Sequence, residues 1–170
     1  MNYFEVFGLP RILNIDLKAL EKTFHDLSRQ YHPDYFSTAP PDERKQALEK
    51  TALLNDAYRT LRHPVGRVEY LLELEGFKPD GSKVPKAFLM EMFEINEQLE
   101  EVKSGAATQE QVATLRGEIK ARAASFESQL SAASLEWDRA PSRDALFRLM
   151  EILSESSYIR NLERDLEGTP

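Results

Sequence analysis

The chain has 170 residues, and its 41% hydrophobic content is enough to build a folded core in one ordinary domain or two small ones. Its 29 acidic and 22 basic residues give a net charge of −7, which argues against non-specific binding to nucleic acid or to anionic lipid. The sequence contains no cysteine, so disulfide scaffolds, thiol nucleophiles and cysteine-ligated metal sites are excluded.

The N-terminal segment has neither the basic region nor the apolar run of a secretion signal, and no apolar stretch approaches the roughly 18 residues of a membrane span. We therefore expect a cytoplasmic protein with no membrane partner. Between clusters of glycine and proline the apolar residues recur with helical period, and no segment alternates with period two over strand length. This pattern predicts an all-α fold.

Two amphipathic helices are predicted in the first half of the chain. Asp16 is placed to cap the first helix, and Pro33 is placed to end it. The second begins at Pro40-Pro41, and the pair is predicted to form an antiparallel hairpin flanked by short helices at about 3–7 and 65–74. The apolar stripes are Leu17, Leu20, Phe24, Leu27 and Tyr31 on the first helix, and Ala47, Thr51, Leu54, Tyr58 and Leu61 on the second.

A run rich in glycine and proline, residues 76–85, predicts a linker between a first domain, 1–75, and a second domain, 86–170. Three further helices are predicted after it, and their short connections indicate an antiparallel three-helix bundle. They span about 86–103, 108–138 with a capping box at Thr108 and Gln111, and one continuous helix from the Ser142 cap through Leu166.

No residue pattern in the chain is typical of a catalytic or cofactor site. Its three histidines lack the i, i+4 spacing of a helical zinc site, and no glycine-rich loop is suited to phosphate. Most carboxylates fall on helix faces, where solvation explains them. We therefore expect no metal, no cofactor and no catalytic residue. The alternative, a small all-α enzyme that uses carboxylates, predicts turnover by the isolated chain.

The tripeptide His32-Pro33-Asp34 ends the first long helix. Pro33 disfavours helical geometry at His32, which projects one imidazole and one carboxylate into an exposed turn suited to docking a partner's arginine. An ordinary helix stop is the alternative interpretation. A basic face on the same helix, distinct from its apolar stripe, favours a docking surface. It consists of Lys18, Lys22, His25 and Arg29.

Four blocks of sequence, in order and spacing, resemble a J-domain, and two later blocks resemble the HscB family, the J-type co-chaperones of iron–sulfur cluster assembly. This resemblance covers essentially the whole chain. The four J-domain blocks are Tyr3-Phe4-Glu5-Val6-Phe7-Gly8-Leu9, the basic helix, Gln30-Tyr31-His32-Pro33-Asp34 and Leu54-Asn55-Asp56-Ala57-Tyr58-Arg59-Thr60-Leu61. The two HscB blocks are His63-Pro64-Val65-Gly66-Arg67-Val68-Glu69-Tyr70-Leu71-Leu72 and Phe88-Leu89-Met90-Glu91.

The resemblance implies a J-domain that stimulates ATP hydrolysis by a DnaK-like chaperone, HscA, and a C-terminal domain that holds the cluster scaffold IscU. It implies chaperone binding by His32, Pro33 and Asp34, with Lys18, Lys22 and Arg29 steering an acidic surface. A J-domain co-chaperone with a different client is the alternative function. Tyr35 is a departure, because many J-domains place Lys or Arg after the tripeptide.

The predicted helix from Lys86 carries an acidic stripe beside apolar residues. One basic and five acidic residues occur between Lys86 and Glu101. An apolar patch rimmed by charge is typical of a protein-binding site. The alternative is that Leu89 and Phe93 belong to a wide core stripe. The scaffold contacts that the resemblance implies are Leu89, Met90, Phe93, Glu94, Glu97 and Glu101, with Leu149 on the last helix as a further candidate.

Overall fold

The structure is a computed structural model, and it describes residues 1–77 and 84–168. These residues form helices and turns without a strand, so the all-α prediction is confirmed. The chain divides into two compact units, Met1–Glu75 and Gly76–Pro170. The helices are α1 (Tyr3–Val6), α2 (Leu17–Gln30), α3 (Pro41–Leu61), α4 (Pro64–Leu74), α5 (Lys86–Lys103), α6 (Gln109–Arg139), α7 (Arg143–Ser154) and α8 (Ser156–Glu167).

The first unit is built on the hairpin of α2 and α3. Asp16 caps α2 as predicted, because its carboxylate accepts hydrogen bonds from the backbone N–H groups of Lys18 and Ala19 at 2.9 and 3.1 Å. The rings of Phe24 and Tyr58 stack across the two helices with their centroids 4.1 Å apart. The core of this unit includes Phe4, Phe7, Ile15, Leu20, Leu54, Ala57 and Leu61.

A buried arginine fixes α4 against the hairpin. The Nε–H of Arg67 donates to the backbone oxygen of Leu61 at 2.7 Å, and its guanidinium also donates to the backbone oxygen of Leu13. Gly66 lies beside the end of α3, where an added Cβ would come within 3.0 Å of the Thr60 carbonyl oxygen. The α3–α4 corner therefore depends on a small residue followed by a long cation whose charge is hydrogen-bonded.

The second unit packs α5, α7 and α8 around the long helix α6. Both predicted caps are present: Thr108 and Gln111 form a reciprocal capping box, and the Ser142 hydroxyl accepts from the N–H of Ala145 at 3.2 Å. Leu99, Ile119, Leu130 and Leu162 are among its buried residues.

The predicted last helix differs from the structure, because it is divided at Glu155 into α7 and α8, which contact each other. The N–H of Glu155 bonds to Ile152, three residues back, at 3.1 Å. The Ser154 hydroxyl donates to the carbonyl oxygen of Glu151 at 2.6 Å. A tightened turn and a serine that competes for a backbone carbonyl end α7 without glycine or proline.

The predicted linker, 76–85, lies largely outside the described residues. Residues near both of its ends are described. The ring of Phe77 packs edge to face against the ring of Phe147, with the centroids 5.2 Å apart, and Val84 is buried. Phe77 therefore packs against a residue of α7, while the boundary at 76–85 stays a prediction.

Candidate partner-binding surfaces

A tight 3-10 turn, Pro33–Phe36, presents the His32-Pro33-Asp34 tripeptide at the end of α2. Thr51 of α3 holds the base of this turn, because its hydroxyl donates to the backbone oxygen of Tyr31 at 3.0 Å. The Asp34 side chain is 88% exposed and the His32 side chain 54% exposed. The turn is thus anchored to α3 at its base, while the Asp34 carboxylate is exposed to solvent.

The imidazole of His32 supports the turn from within. Its Nδ1 accepts a hydrogen bond from the backbone N–H of Asp34 at 3.3 Å. The carboxylate of Asp34 lies 3.6 Å from the same Nδ1. Because its side chain is 88% exposed, this carboxylate is accessible to a partner.

The predicted basic face is exposed along α2. Lys18, Lys22 and Arg29 fall within one side of the helix at steps of four and seven residues, and all three are exposed. Arg29 also contacts Asp26 on the same helix, which offsets part of its charge. Lys18 and Lys22 therefore contribute more of the positive charge of this face than Arg29 does.

A shallow groove of about 700 Å³ joins the basic face to the turn. It brings together Lys22, Arg29, His32 and Asp34, which the sequence predicted, but it does not include Lys18. The other residues that line it are His25, Asp26, Ser28 and Tyr35. The sequence placed His25 on the basic face, whereas it did not assign Asp26 or Tyr35 to this surface.

The second candidate surface is on α5, on the side opposite the core. Leu89, Met90 and Phe93 are 38%, 65% and 64% exposed, whereas Phe88 and Met92 beside them are 4% and 3% exposed. This contrast contradicts the interpretation that Leu89 and Phe93 belong to a wide core stripe. The three exposed side chains are called the apolar patch below.

Three glutamates, all exposed, continue the apolar patch toward the end of α5 as an acidic rim. Their spacing of three and four residues places them on one side of the helix. An apolar centre with a charged border is the arrangement that protein-binding sites favour. The rim consists of Glu94, Glu97 and Glu101.

Arg122 of α6 contacts two residues of α5. Its guanidinium contacts the carboxylate of Glu91 and lies 5.7 Å from the centre of the Phe88 ring. At the other end of α5, Lys103 lies 3.5 Å from Asp165 of α8. These contacts position α5 without using any residue of the apolar patch.

Glu155, at the break between α7 and α8, has a raised pKa because it is partly buried, and the neighbouring charge of Arg122 opposes this rise. The carboxylate of Glu151 raises it further. The Glu155 carboxyl therefore contributes to the packing of the bundle rather than to an exposed surface.

Leu149 is not part of either surface. It is 0% exposed, on the side of α7 that faces the core. The prediction that it contacts the scaffold is therefore wrong: a fully buried side chain cannot contact a partner without unfolding its helix.

We expect Leu149→Ala to lower the free energy of unfolding by about 2 to 5 kcal/mol, because it leaves a cavity in the core. A chemical denaturation curve measures this change. Leu135→Ala on α6 is the control, since Leu135 is 37% exposed and should change stability little. Equal stability of the two variants would contradict the burial of Leu149.

Among residues 1–77 and 84–168, no group of three or more His, Asp or Glu side chains is arranged to hold a metal ion. Within the same residues, no helix is long and apolar enough to cross a membrane.

An antiparallel hairpin that presents an exposed His-Pro-Asp turn beside a basic helix face defines the J-domain co-chaperone class. A family model described as a DnaJ domain matches residues 2–70. A model described as the HSCB C-terminal oligomerisation domain matches residues 84–167. The chain belongs to the HscB family, and its role is that of a co-chaperone in iron–sulfur cluster assembly that acts with a chaperone of the Hsp70 kind.

Curated relatives agree with this assignment over the full length. The chain is 37% identical to a protein named co-chaperone protein HscB homolog from Vibrio vulnificus strain YJ016, over 99% of this chain and 100% of the relative. A second homolog of that name, from strain CMCP6, is 36% identical over the same shares. These relatives are named as co-chaperones, which is a non-enzymatic role.

Solved structures share the fold. The chaperone HscB from Vibrio cholerae matches with a TM-score of 0.83 at 29% identity, covering 98% of this chain and 96% of that one. The crystal structure of human co-chaperone protein HscB matches with a TM-score of 0.81 at 29% identity, covering 98% and 81%.

Proposed function

We propose that the chain stimulates the ATPase of the DnaK-like chaperone HscA and delivers the iron–sulfur scaffold IscU to it. The observation that carries the proposal is the presence of two exposed surfaces of different chemistry, one in each unit. The turn of the first unit offers an exposed carboxylate beside cations. The apolar patch of the second offers hydrophobic anchors with an acidic border.

In the first step, the carboxylate of Asp34 pairs with an arginine of the chaperone, and Pro33 and His32 hold it in place. Lys18, Lys22 and Arg29 attract an acidic area next to that arginine. The J-domain, residues 1–75 in this proposal, hydrolyses no ATP itself. It shifts the chaperone toward its hydrolysis-competent state by binding that state more tightly.

In the second step, the apolar patch on α5 anchors the scaffold, and Glu94, Glu97 and Glu101 select a basic border on it. A scaffold held by the second unit while the first unit docks is present at high effective concentration near the chaperone's peptide-binding site. Two sites on one chain therefore act together without any new contact between them.

Purified components test the proposal. The chain should raise the ATPase rate of HscA, and IscU added with it should raise the rate further than either protein does alone. Binding of IscU by the isolated chain should be measurable by calorimetry. Stimulation of HscA without IscU binding would favour the alternative, a J-domain co-chaperone with a different client.

We expect the association rate with the chaperone to fall about tenfold between low and high salt, because exposed lysines act through water and ions screen them within a Debye length of about 8 Å at physiological ionic strength. Stopped-flow measurement at several salt concentrations checks this. Lys22→Gln should flatten the dependence, whereas Lys45→Gln, an exposed lysine of α3, should not. A rate independent of salt would contradict electrostatic steering by these lysines.

A further inference from the structure

The backbone oxygen of Tyr31 lies where the chain leaves α2 for the 3-10 turn. In a continued helix this oxygen would accept from the N–H of Tyr35, four residues further on. That N–H donates instead to the backbone oxygen of His32 at 3.0 Å. The Tyr31 oxygen accepts its hydrogen bond from another helix, because the Thr51 hydroxyl of α3 donates to it at 3.0 Å.

The hydrogen bond from Thr51 fixes the plane of one peptide group. The carbonyl of Tyr31 shares this planar group with the nitrogen and the Cα of His32, so an oxygen held by α3 also orients the first residue of the tripeptide. Two hydrogen bonds of the turn then depend on His32: its backbone oxygen accepts from Tyr35, and its Nδ1 accepts from the N–H of Asp34 at 3.3 Å. The direction of Asp34 is thus linked to the Thr51 hydroxyl.

A neighbouring residue of α3 contacts the side chain of Tyr31. The Nζ of Lys50 lies 4.9 Å from the centre of the Tyr31 ring, within the range of cation–π attraction. Thr51 and Tyr31 are both partly buried, whereas His32 and Asp34 are exposed. A partly buried hydrogen bond is stronger than one in water, so the contact with α3 holds the turn while the residues beyond it are open to a partner.

We propose that Thr51 is a positioning residue for chaperone docking, because its hydroxyl sets the orientation in which the tripeptide leaves α2. This inference rests on the proposed docking of Asp34. Thr51 is not among the residues that line the groove at the end of α2, so it acts through Tyr31 rather than by touching the chaperone. Without the hydroxyl the turn samples other orientations, and the apparent affinity falls with the fraction of chains that keep the binding-competent one.

Two variants of Thr51 separate the hydroxyl from the shape of the side chain in titrations of HscA ATPase with the full-length chain. Thr51→Val keeps the branched shape and removes the hydroxyl. We expect its half-maximal concentration to rise roughly threefold to tenfold, the effect of one hydrogen bond, with parental stimulation at saturation. Thr51→Ser keeps the hydroxyl and should titrate within about twofold of the parent.

Thr23→Val is the matched control. The Thr23 hydroxyl on α2 also donates to a backbone oxygen, that of Ala19 at 2.9 Å, but Thr23 does not line the groove. Its titration should match the parent. All titrations are made well below the thermal midpoint of each variant. If Thr51 served only the stability of the hairpin, Thr51→Val would then titrate like the parent too.

Amide hydrogen exchange gives a second measurement that needs no chaperone. Thr51→Val should speed exchange of the Tyr35 N–H, which donates within the turn, by roughly threefold or more. Exchange of the Leu20 N–H, which donates to Asp16 at the start of α2, should stay parental.

Parental titration by Thr51→Val would overturn the inference, and so would unchanged exchange of the Tyr35 N–H. Equal losses in Thr51→Val and Thr51→Ser would also overturn it, because the hydroxyl would then not carry the effect. Asp34→Asn, tested in parallel, distinguishes the two levels of failure. Lost stimulation in Asp34→Asn with parental titration by Thr51→Val refutes the positioning role alone, whereas full stimulation by Asp34→Asn refutes the docking on which it rests.

Discussion

Asp34→Asn should abolish stimulation of the chaperone ATPase while leaving the fold intact. The change removes one charge from a side chain that is 88% exposed and leaves its size and shape nearly the same. A charge pair that loses one partner at an interface costs about 2 to 5 kcal/mol, which is a weakening of docking by at least about thirtyfold. Steady-state ATPase titrations measure the loss, and circular dichroism verifies the fold.

Asp42→Asn is the matched control, because Asp42 is an exposed carboxylate in the first turn of α3. It should stimulate like the parent. His32→Gln should lose stimulation as Asp34→Asn does, since it removes the Nδ1 that accepts from the Asp34 N–H. Full stimulation by a well-folded Asp34→Asn protein would contradict the docking role of this carboxylate.

Helix starts were the most predictable part of the fold, because an N-cap is a local interaction between a side chain and nearby backbone. Asp16, Thr108 and Ser142 all cap the helices that the sequence assigned to them. Each cap needs only a short polar side chain followed by helical periodicity, and both are visible in sequence.

The break at Glu155 was not predictable in the same way. The apolar period continues across it, from Ile152 to Ile159, and neither glycine nor proline is present. The turn depends on two hydrogen bonds, from the Ser154 hydroxyl to Glu151 and from the Glu155 N–H to Ile152. Hydrophobic periodicity does not indicate which backbone oxygens these groups bind.

Helices α5 and α7 differ in how far the sequence defines their exposed sides. On α5, the sequence left open whether Leu89 and Phe93 belong to a wide core stripe, and the resemblance implied the exposed patch that the structure shows. On α7, six residues are buried over a wide arc of a short helix, and periodicity cannot indicate which apolar residue reaches solvent. The resemblance implied Leu149 as a further candidate on this helix, but Leu149 is buried, while Phe147 of the same helix is 41% exposed.

The apolar patch offers the second large effect. Truncating Leu89, Met90 and Phe93 together to Ala should reduce scaffold binding well over tenfold, because central anchors of an interface typically cost about 2 kcal/mol or more each when removed. Stability should change little, since all three side chains are exposed, whereas three core truncations would each cost about 2 to 5 kcal/mol. Calorimetric binding of IscU and a thermal unfolding curve measure the two quantities.

Two controls make the triple variant decisive. Leu135→Ala removes an exposed apolar side chain from α6 and should bind the scaffold like the parent. Stimulation of HscA in the absence of scaffold should also be unchanged, because the docking turn belongs to the first unit and the truncated residues to the second. A triple variant that unfolds far below the parent would place these residues in the core. A stable triple variant that binds IscU with parental affinity would move the scaffold site elsewhere on the bundle, because the side chains proposed as its anchors would then contribute nothing to binding.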